Sequence, residues 1–525
     1  MNEIKDTAMT EHRELDTRES WRMLFFNTLA FTICFSAWMM NGVLITFLVD
    51  NDVYSWDPVQ MSWLIAIPVL TGALFRLPLG VATDKYGGRI VYGLLLIFSA
   101  IPMFLVSRCD SFTAFALAGL GFGFTGTSFA IGIAYTSVWF SKSRQGTALG
   151  IFGAGNAGAA LTSLGAPQVL NYLTDHGEHI EGWRTLPMLY AGLLVAMGIA
   201  FLLFTKKRLP VGSASKSMSE RLLPLRNPRV WRYGLYYFFV FGGFVTLAQW
   251  LIPYYVNAYA MSVAFAGALT AVNTLPSGVI RALGGWMSDR FGAQAVMYWI
   301  FGICLACCAL MIVPQMDVRS PGSGIMAKKA GTVTSVEPTG VTVESKGGER
   351  TYSLKESPGP IVSEEERKTG MLVFPRSQSW QEPVVEVGET VQKKQLVARG
   401  VTQIFFQANV WIFTVLSMIL GAAMGIGKAA VYKHIPDYFP NDVGVVGGIV
   451  GVLGGLGGFV FPITFGYLLR ATGLWTTCWM VFFVVIAICL FWMHVTVRRM
   501  MKEQAPEVLR KLETDTFGTP GWQEQ

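Results

Sequence analysis

Charge is what this sequence has least of. Only 14% of its 525 residues are Asp, Glu, Lys or Arg, against about a quarter in soluble domains. With 52% of residues hydrophobic, the shortfall excludes an ordinary soluble globular protein and points to lipid as the solvent. Aspartate and glutamate are essentially missing from the apolar runs except at their ends. Cysteine is sparse at seven and falls mostly inside those runs, so no disulfide framework is implied. Cys304, Cys307 and Cys308 crowd one segment, but no His, Asp or Glu lies near them in sequence. They read as small apolar packing residues and not as a metal site. A catalytic triad, a metal cluster and a phosphate loop are all missing too, which argues against an enzyme and against a cofactor.

What the sequence does have is long apolar runs. Runs of about 20 residues span a bilayer, and they fall near 22–49, 60–82, 88–107, 111–136, 146–170, 184–205, 231–256, 262–286, 294–314, 403–432, 442–468 and 473–497. The first is longer than a signal peptide and lacks a small-residue cleavage site, so it reads as a retained span. The loops carry charge asymmetrically. Lys85, Arg89, Lys142, Arg144 and the basic cluster Lys206, Lys207, Arg208, Arg221, Arg226 and Arg229 lie in even-numbered loops. Asp50, Asp52, Asp175 and Glu178 lie in odd-numbered ones. Positive residues mark the cytoplasmic side, which puts both termini inside, in a bacterial inner membrane. A lipid or nucleic-acid patch is the competing reading of the basic loop.

One stretch occurs twice. Residues 76–89 read RLPLGVATDKYGGR and residues 281–294 read RALGGWMSDRFGAQ. Arg76, Gly80, Asp84 and Gly87 recur as Arg281, Gly285, Asp289 and Gly292 at a constant offset of 205 (281 − 76). The repeat makes the two sets of six spans copies of each other. At the loop end, Asp84 and Asp289 are placed to cap the following helix, and Gly87 suits a tight turn. GVATDKYGGR, closed by Arg89, resembles the GxxxDxxGxR loop signature of the major facilitator superfamily, as does the 6 + 6 arrangement. The second copy lacks the closing arginine.

The fold expected is therefore an all-α polytopic membrane protein of two pseudo-symmetric halves. A tail (1–21) precedes the N-terminal half (22–205). A linker (206–229) leads to the first three helices of the C-terminal half (230–315). A small β-rich insert (316–402) separates these from the last three (403–500), and a second tail (501–525) follows. In the insert, AGTVTSVEPTGVTVESKGGERTYSL alternates apolar and polar residues around glycine turns, the pattern of short strands. PVVEVGETVQKKQLVARG resembles lipoyl- and biotinyl-type sandwich domains over about 17 residues, without the carrier lysine in the expected hairpin. By loop count the insert faces the periplasm, where it shields the protein or binds an unknown partner.

Arg76 and Arg281 carry the chemistry. A charge deep in a span costs several kcal/mol and faces a cavity or a partner. Each arginine lies about 12 Å along a helix from its loop aspartate, close to the middle of a core of ~30 Å. With no carboxylate in the spans, the natural partner is an anionic substrate; snorkelling to one interface is the alternative. Two guanidinium forks suit a small flat oxyanion, which a lysine's point charge would not orient. Glycine-rich stretches occupy matching places in the two halves: GTALGIFGAGNAGAALTSLGAP (146–167) and GVVGGIVGVLGGLGGFVFP (444–462). Such density lets helices touch, and it encloses Asn156, a buried amide that needs partners.

GAGNAG (Gly153, Gly155, Gly158) and GVLGGLGGF (Gly451, Gly454, Gly455) resemble the two signature segments of the nitrate/nitrite porter family, the NarK-type transporters. YFFVFGGF at 237–244 and GTSFA around Phe129 continue the resemblance. It implies that Arg76 and Arg281 hold nitrate or nitrite, with Asn156 and Tyr237 beside the anion and Phe129 and Phe241 as aromatic walls. It also implies alternating access, as a nitrate/nitrite exchanger or a nitrate/proton symporter. Lys428, in GIGKAAVYKHIPDYFP with His434 six residues on, departs from members with small polar residues there and looks like the proton-coupled subgroup. The alternative is that Lys428 reaches an interface near a helix end. Another small-anion antiporter (organic acid or phosphate), or a membrane sensor built on the insert, are the other functions weighed.

Overall fold

The computed structural model describes residues 16–209, 223–313, 316–363, 366, 374–439 and 443–504. Most of both expected tails and the middle of the linker lie outside these residues. Two compact units emerge, one of residues 1–310 and 414–525 and one of residues 311–413, and each is described by itself.

The first unit is a bundle of helical rods. The first span is α1 (Arg18–Asp50), opened by a capping box in which Thr17 accepts from the Ser20 backbone and Ser20 answers. The second is α2 (Pro58–Leu74) followed by α3 (Arg76–Tyr86), bent by 41° at the junction. Asp57 caps α2 in a box with Gln60, and Pro58 takes the first helical position, where its missing N–H costs nothing. Pro78 explains the bend, because its ring crowds the carbonyl four residues back, at Leu74. The third span is α4 (Gly88–Val106). The fourth is α5 (Phe112–Phe122), a 3-10 turn (Gly123–Thr127) and α6 (Ser128–Ser137). The fifth is α7 (Lys142–Gly153), a 3-10 turn (Ala154–Ala157) and α8 (Gly158–Leu173); the sixth is α9 (Thr185–Phe204).

The C-terminal half repeats the plan. The seventh span joins α10 (Pro228–Tyr237) and α11 (Phe244–Tyr259) through a π-helical turn, Phe238–Gly243. The eighth joins α12 (Val263–Val279) and α13 (Arg281–Phe291) at a 46° bend. Then come α14 (Ala293–Met311), α15 (Val410–Tyr438), α16 (Val443–Thr472) and α17 (Thr477–Gln504). Among the described residues nine helices are long and apolar enough to cross a membrane, and the two bent pairs raise this to eleven. The three-piece, glycine-rich fifth span supplies the remaining rod. Leu94, Phe98, Ile101 and Leu105 on α4 and Phe491 on α17 are exposed, an apolar outer face that suits lipid.

In the repeated loop motif, α4 starts behind Gly87, which itself offers no side-chain cap, and Asp289 pairs with Lys433 on α15 at 2.6 Å. The glycines behave as expected: Gly87 has φ +90° and Gly292 φ +86°. Arg89 donates through Nε to the carbonyl of Leu202 at 3.0 Å, satisfying a free acceptor near the end of α9. The second and eighth spans, read as continuous, are each broken where the arginine stands. Apolar periodicity does not register a bend.

The second unit consists of two sheets. β1 (Met316–Met326), β2 (Gly331–Glu337), β3 (Gly340–Ser345), β4 (Gly348–Ser353), β5 (Arg376–Pro383), β6 (Thr390–Val391) and β7 (Leu396–Phe406) follow in order. One sheet has the order β1-β7-β5 and the other β4-β3-β2-β6, with every pairing antiparallel. Val333, Val341, Val343, Val391 and Val397 form its core. The strand β7 runs to Phe406 and α15 opens only at Val410, so residues 403–406, read as the start of the tenth span, are strand. An apolar run of that length fits either element.

Alanine at Gly87 or Gly292 must adopt a positive φ, at a cost of about 1 kcal/mol or more. At Gly80 and Gly285, on helices with nothing within 4 Å of an added Cβ, alanine is expected to stabilise by up to ~1 kcal/mol. Thermal unfolding of the four purified variants in detergent should therefore split them two against two. Equal melting temperatures would contradict this account of the motif.

Candidate functional site

The bends place the repeated arginines. Arg76 is the first residue after the break in the second span, and Arg281 is the first after the break in the eighth. Each therefore leaves the helix where its direction changes. Irregular segments of the fourth, fifth and seventh spans also contribute residues here. Non-α backbone at this depth is tolerated where it is buried in protein or lines a cavity, and π turns recur at functional sites.

Arg76 is only 2% exposed. Its Nε donates to the carbonyl of Gly126, in the 3-10 turn of the fourth span, at 3.4 Å. Its Nη1 donates to the carbonyl of Gly451, in the opposite half, at 2.7 Å. The guanidinium faces the rings of Phe241 at 4.8 Å, Phe129 at 5.6 Å and Trp38 at 5.7 Å. Each such contact is worth about 2 kcal/mol when desolvated. Nη2 is buried with no hydrogen bond. Arg281 faces the same Phe129 ring at 5.3 Å and Tyr432 at 5.5 Å, and its buried Nη1 also has no partner. Neither arginine is ion-paired among the described residues. Snorkelling is excluded for Arg76 by its burial.

Phe129 thus stands between the two guanidinium groups and stacks on Phe241 at 6.2 Å. Phe241 in turn lies parallel to Tyr237, with ring centroids 5.1 Å apart. The Tyr237 hydroxyl is buried without a hydrogen bond. Two orphaned guanidinium N–H groups and this O–H make a set of donors with no acceptor, the complement of an anion. Asn156 is fully buried; its Nδ2 donates to the Gly153 carbonyl at 2.8 Å and its Oδ1 is unmatched. Rotation of the amide by half a turn would aim an N–H donor where the oxygen now points.

The signature glycines serve the arginine of the other half. A Cβ at Gly153, in the fifth span, would lie 3.4 Å from Cδ of Arg281. A Cβ at Gly451 or Gly455, in the eleventh, would lie 3.9 Å from Nη1 or 3.6 Å from Cζ of Arg76. Glycine there leaves backbone carbonyls open to a guanidinium. The remaining signature glycines pack elsewhere: Gly155 and Gly158 press on the first span and Gly454 on the Tyr237 ring.

Of the coupling candidates, Lys428 is fully buried, so the interfacial alternative fails. Its ammonium donates to Ser277 Oγ at 3.2 Å and sits 3.6 Å from the Phe244 ring centroid. Ser277 is one turn before Arg281, which brings Lys428 to the edge of the site. His434 is not brought there; it stacks on Tyr233 at 5.2 Å, towards the loop-motif end. Trp38, Tyr432 and Ser277 were not singled out from the sequence. Tyr432, four residues after Lys428 and so on the same helix face, carried the only available signal. Its hydroxyl donates to Gly447 at 2.9 Å.

Packing around the site is uneven. Away from the loop motifs, Gly267 presses on Ser163 and Gly466 on Ser62, with no room for a Cβ. On the loop-motif side, Gly80, Gly146, Gly150 and Gly285 have nothing within 4 Å.

A bundle of two repeated halves around a central polar site is the plan of a carrier, and comparison with known proteins agrees. The model of the Major Facilitator Superfamily matches residues 27–331 and 396–520. A protein of Thermus thermophilus named probable nitrate/nitrite antiporter NarK1 is 37% identical over 514 residues, 97% of this chain and 98% of its own. The nitrite extrusion protein of Bacillus subtilis is 23% identical, covering 86% of this chain and 88% of its own. The chain belongs to the Major Facilitator Superfamily and, within it, to the nitrate/nitrite porter family. Among solved structures, a bacterial homologue of the human lysosomal transporter Spinster, in an inward-facing and occupied conformation, superposes with a TM-score of 0.58 at 14% identity. That match covers 92% of this chain and 98% of the other. The nucleoside transporter NupG gives 0.55 at 12% identity, covering 91% and 99%. These two likenesses concern the fold alone.

Lysine at either arginine keeps the charge and loses the fork. Arg76→Lys and Arg281→Lys are expected to weaken nitrate-induced thermal stabilisation by about tenfold or more in nitrate concentration, with monodisperse protein retained. Asn156→Asp, which adds a repelling carboxylate, should be worse than Asn156→Ala. Wild-type nitrate dependence in either lysine variant would remove the two-arginine site.

Proposed function

We propose that this multi-pass membrane protein carries nitrate and nitrite by rocking its two halves about Arg76 and Arg281. The observation that carries the reading is the convergence of two guanidinium groups, one from each half, on a single phenyl ring with no carboxylate paired to either among the described residues. Relatives named as nitrate and nitrite transporters support the choice of anion. Arg76, Arg281, Tyr237 and Asn156 bind it, and Phe129 and Phe241 exclude water, which disfavours strongly hydrated anions such as phosphate.

The same geometry gives a reason for exchange. Empty, the site holds two unneutralised cations near the middle of the membrane, and closing the halves around them is costly. A bound anion offsets that cost, so the loaded carrier returns readily and the empty one does not. The positive loops support a cytoplasmic position for the motif-loop end and both termini, in an inner membrane. On the same reading the segment 316–402 faces the periplasm, where it meets an unidentified partner.

Lys428 supports a second reading, proton-coupled nitrate uptake. It is the one buried lysine among the described residues, and it donates to Ser277 on α12, one turn before Arg281. An amine that gains and loses a proton there would link nitrate occupancy to pH.

Counterflow separates the two. Vesicles loaded with nitrite are expected to accumulate labelled nitrate at least tenfold faster than unloaded vesicles under the same pH gradient. Uptake driven by the pH gradient alone, without internal anion, would defeat exchange. Under exchange, Lys428→Met should alter the rate of counterflow without abolishing it. Under symport it should abolish pH-driven uptake while nitrate binding remains.

A further inference from the structure

A second cationic cleft lies away from the central site. Arg232, on α10, is 8% exposed, yet its guanidinium has no carboxylate partner among the described residues. Its recorded contacts are the Tyr233 ring at 5.2 Å and the Tyr233 hydroxyl at 3.4 Å, a long hydrogen bond. Four residues on from Arg232 and so on the same face of α10, Tyr236 is 1% exposed and its buried hydroxyl has no hydrogen bond. Both side chains line a narrow, open cleft together with Met493, Thr496 and Met500 of α17 and Gln294 at the start of α14. Gln294 follows the second loop motif directly. The adjoining Asp289–Lys433 pair fixes the cleft at the motif-loop end of the bundle, where helix ends meet headgroups.

The lining is divided. Arg232, Tyr236 and Gln294 offer N–H and O–H donors, whereas Met493 and Met500 offer an apolar strip along the outermost helix. A buried guanidinium without a counter-ion costs several kcal/mol, and a donor-rich end beside an apolar strip matches a phosphate attached to an acyl chain. A free oxyanion would satisfy the donors and leave the strip unused.

We propose that this cleft binds the headgroup phosphate of an anionic membrane lipid, with Arg232 and Tyr236 as donors and the acyl chain along Met493 and Met500. The bound phosphate supplies the missing partner of Arg232 and ties the seventh, ninth and twelfth spans together at one end. The assignment needs only that the chain lie in a membrane, and it is independent of which anion the central site carries.

The test is native mass spectrometry of the full chain in detergent, titrated with phosphatidylglycerol or with phosphatidylcholine. Wild type is expected to retain phosphatidylglycerol at least about tenfold better, and Arg232→Gln to lose about tenfold. Tyr236→Phe should lose several-fold, and Arg208→Gln, a surface arginine on Trp139, should lose nothing. Size-exclusion profiles show whether Arg232→Gln is folded, and Tyr236→Phe tests the site if it is not. Undiminished phosphatidylglycerol retention in both variants would overturn the site. Arg232-dependent thermal stabilisation by millimolar inorganic phosphate, with the two lipids equal, would overturn the lipid and leave a soluble anion.

Discussion

Two guanidinium groups in a low-dielectric interior, without carboxylates, constrain everything around them. A charge in such a place must be solvated by something. Here the solvent is built from backbone carbonyls at Gly126 and Gly451 and from the faces of Trp38, Phe129, Phe241 and Tyr432. The carbonyl at Gly126 comes from a 3-10 turn, and Phe241 lies in a π turn. Regular α-helix in the fourth or seventh span would draw those groups back into its own ladder. The bends at Phe75 and Ile280 do the complementary job of aiming the arginines inward. Partial solvation leaves one nitrogen on each fork unmatched, and that deficit is what makes the site receptive to an anion.

The duplication is used crosswise. Each half supplies one arginine and one glycine-rich helix, and the glycines admit the arginine of the opposite half. Arg76 rests on the eleventh span and Arg281 on the fifth. Any movement of one half against the other therefore alters both contacts together, which ties occupancy of the site to the arrangement of the halves. The symmetry is broken by single residues. Phe129 has no counterpart between the arginines, and Lys428 places a third cation on one side only. Those departures, more than the repeat, bear on which anion is carried and on what drives it.

The aromatic content fits the same logic. Phe31, Phe35, Phe129, Phe152, Phe241 and Phe244 form a connected set of ring contacts across the two halves. Rings give a dry wall of fixed shape, they accept a cation on their faces, and they offer no charge to compete with a bound anion. They also let the halves slide past one another, because ring contacts lack the directional demands of hydrogen bonds.

Composition and spacing settled what lipid alone enforces: the helical spans, their doubling, the insert and the pair of arginines set within spans. A bilayer leaves few solutions, so long apolar runs, a repeat at constant offset and a want of carboxylates read directly as architecture and as an anion site. Asn156, Tyr237, Phe129 and Phe241 were named through resemblance; Phe129 and Phe241 lie against the guanidinium groups, Tyr237 against Phe241, and Asn156 against Gly153. The tertiary structure alone decided the rest. Apolar periodicity cannot mark a bend at Phe75 or Ile280, or tell strand from helix at 403–406. The pairing of Asp289 with Lys433 across helices is likewise outside what spacing can show. Lys428 and His434, six residues apart on one helix, look like a pair in sequence, yet in the fold Lys428 lies against Ser277 and Phe244 and His434 against Tyr233. Trp38, Tyr432 and Ser277 were hidden because an aromatic or a hydroxyl in a span is ordinary until a cation is found against it. That is a matter of distance across the bundle, which no single helix encodes.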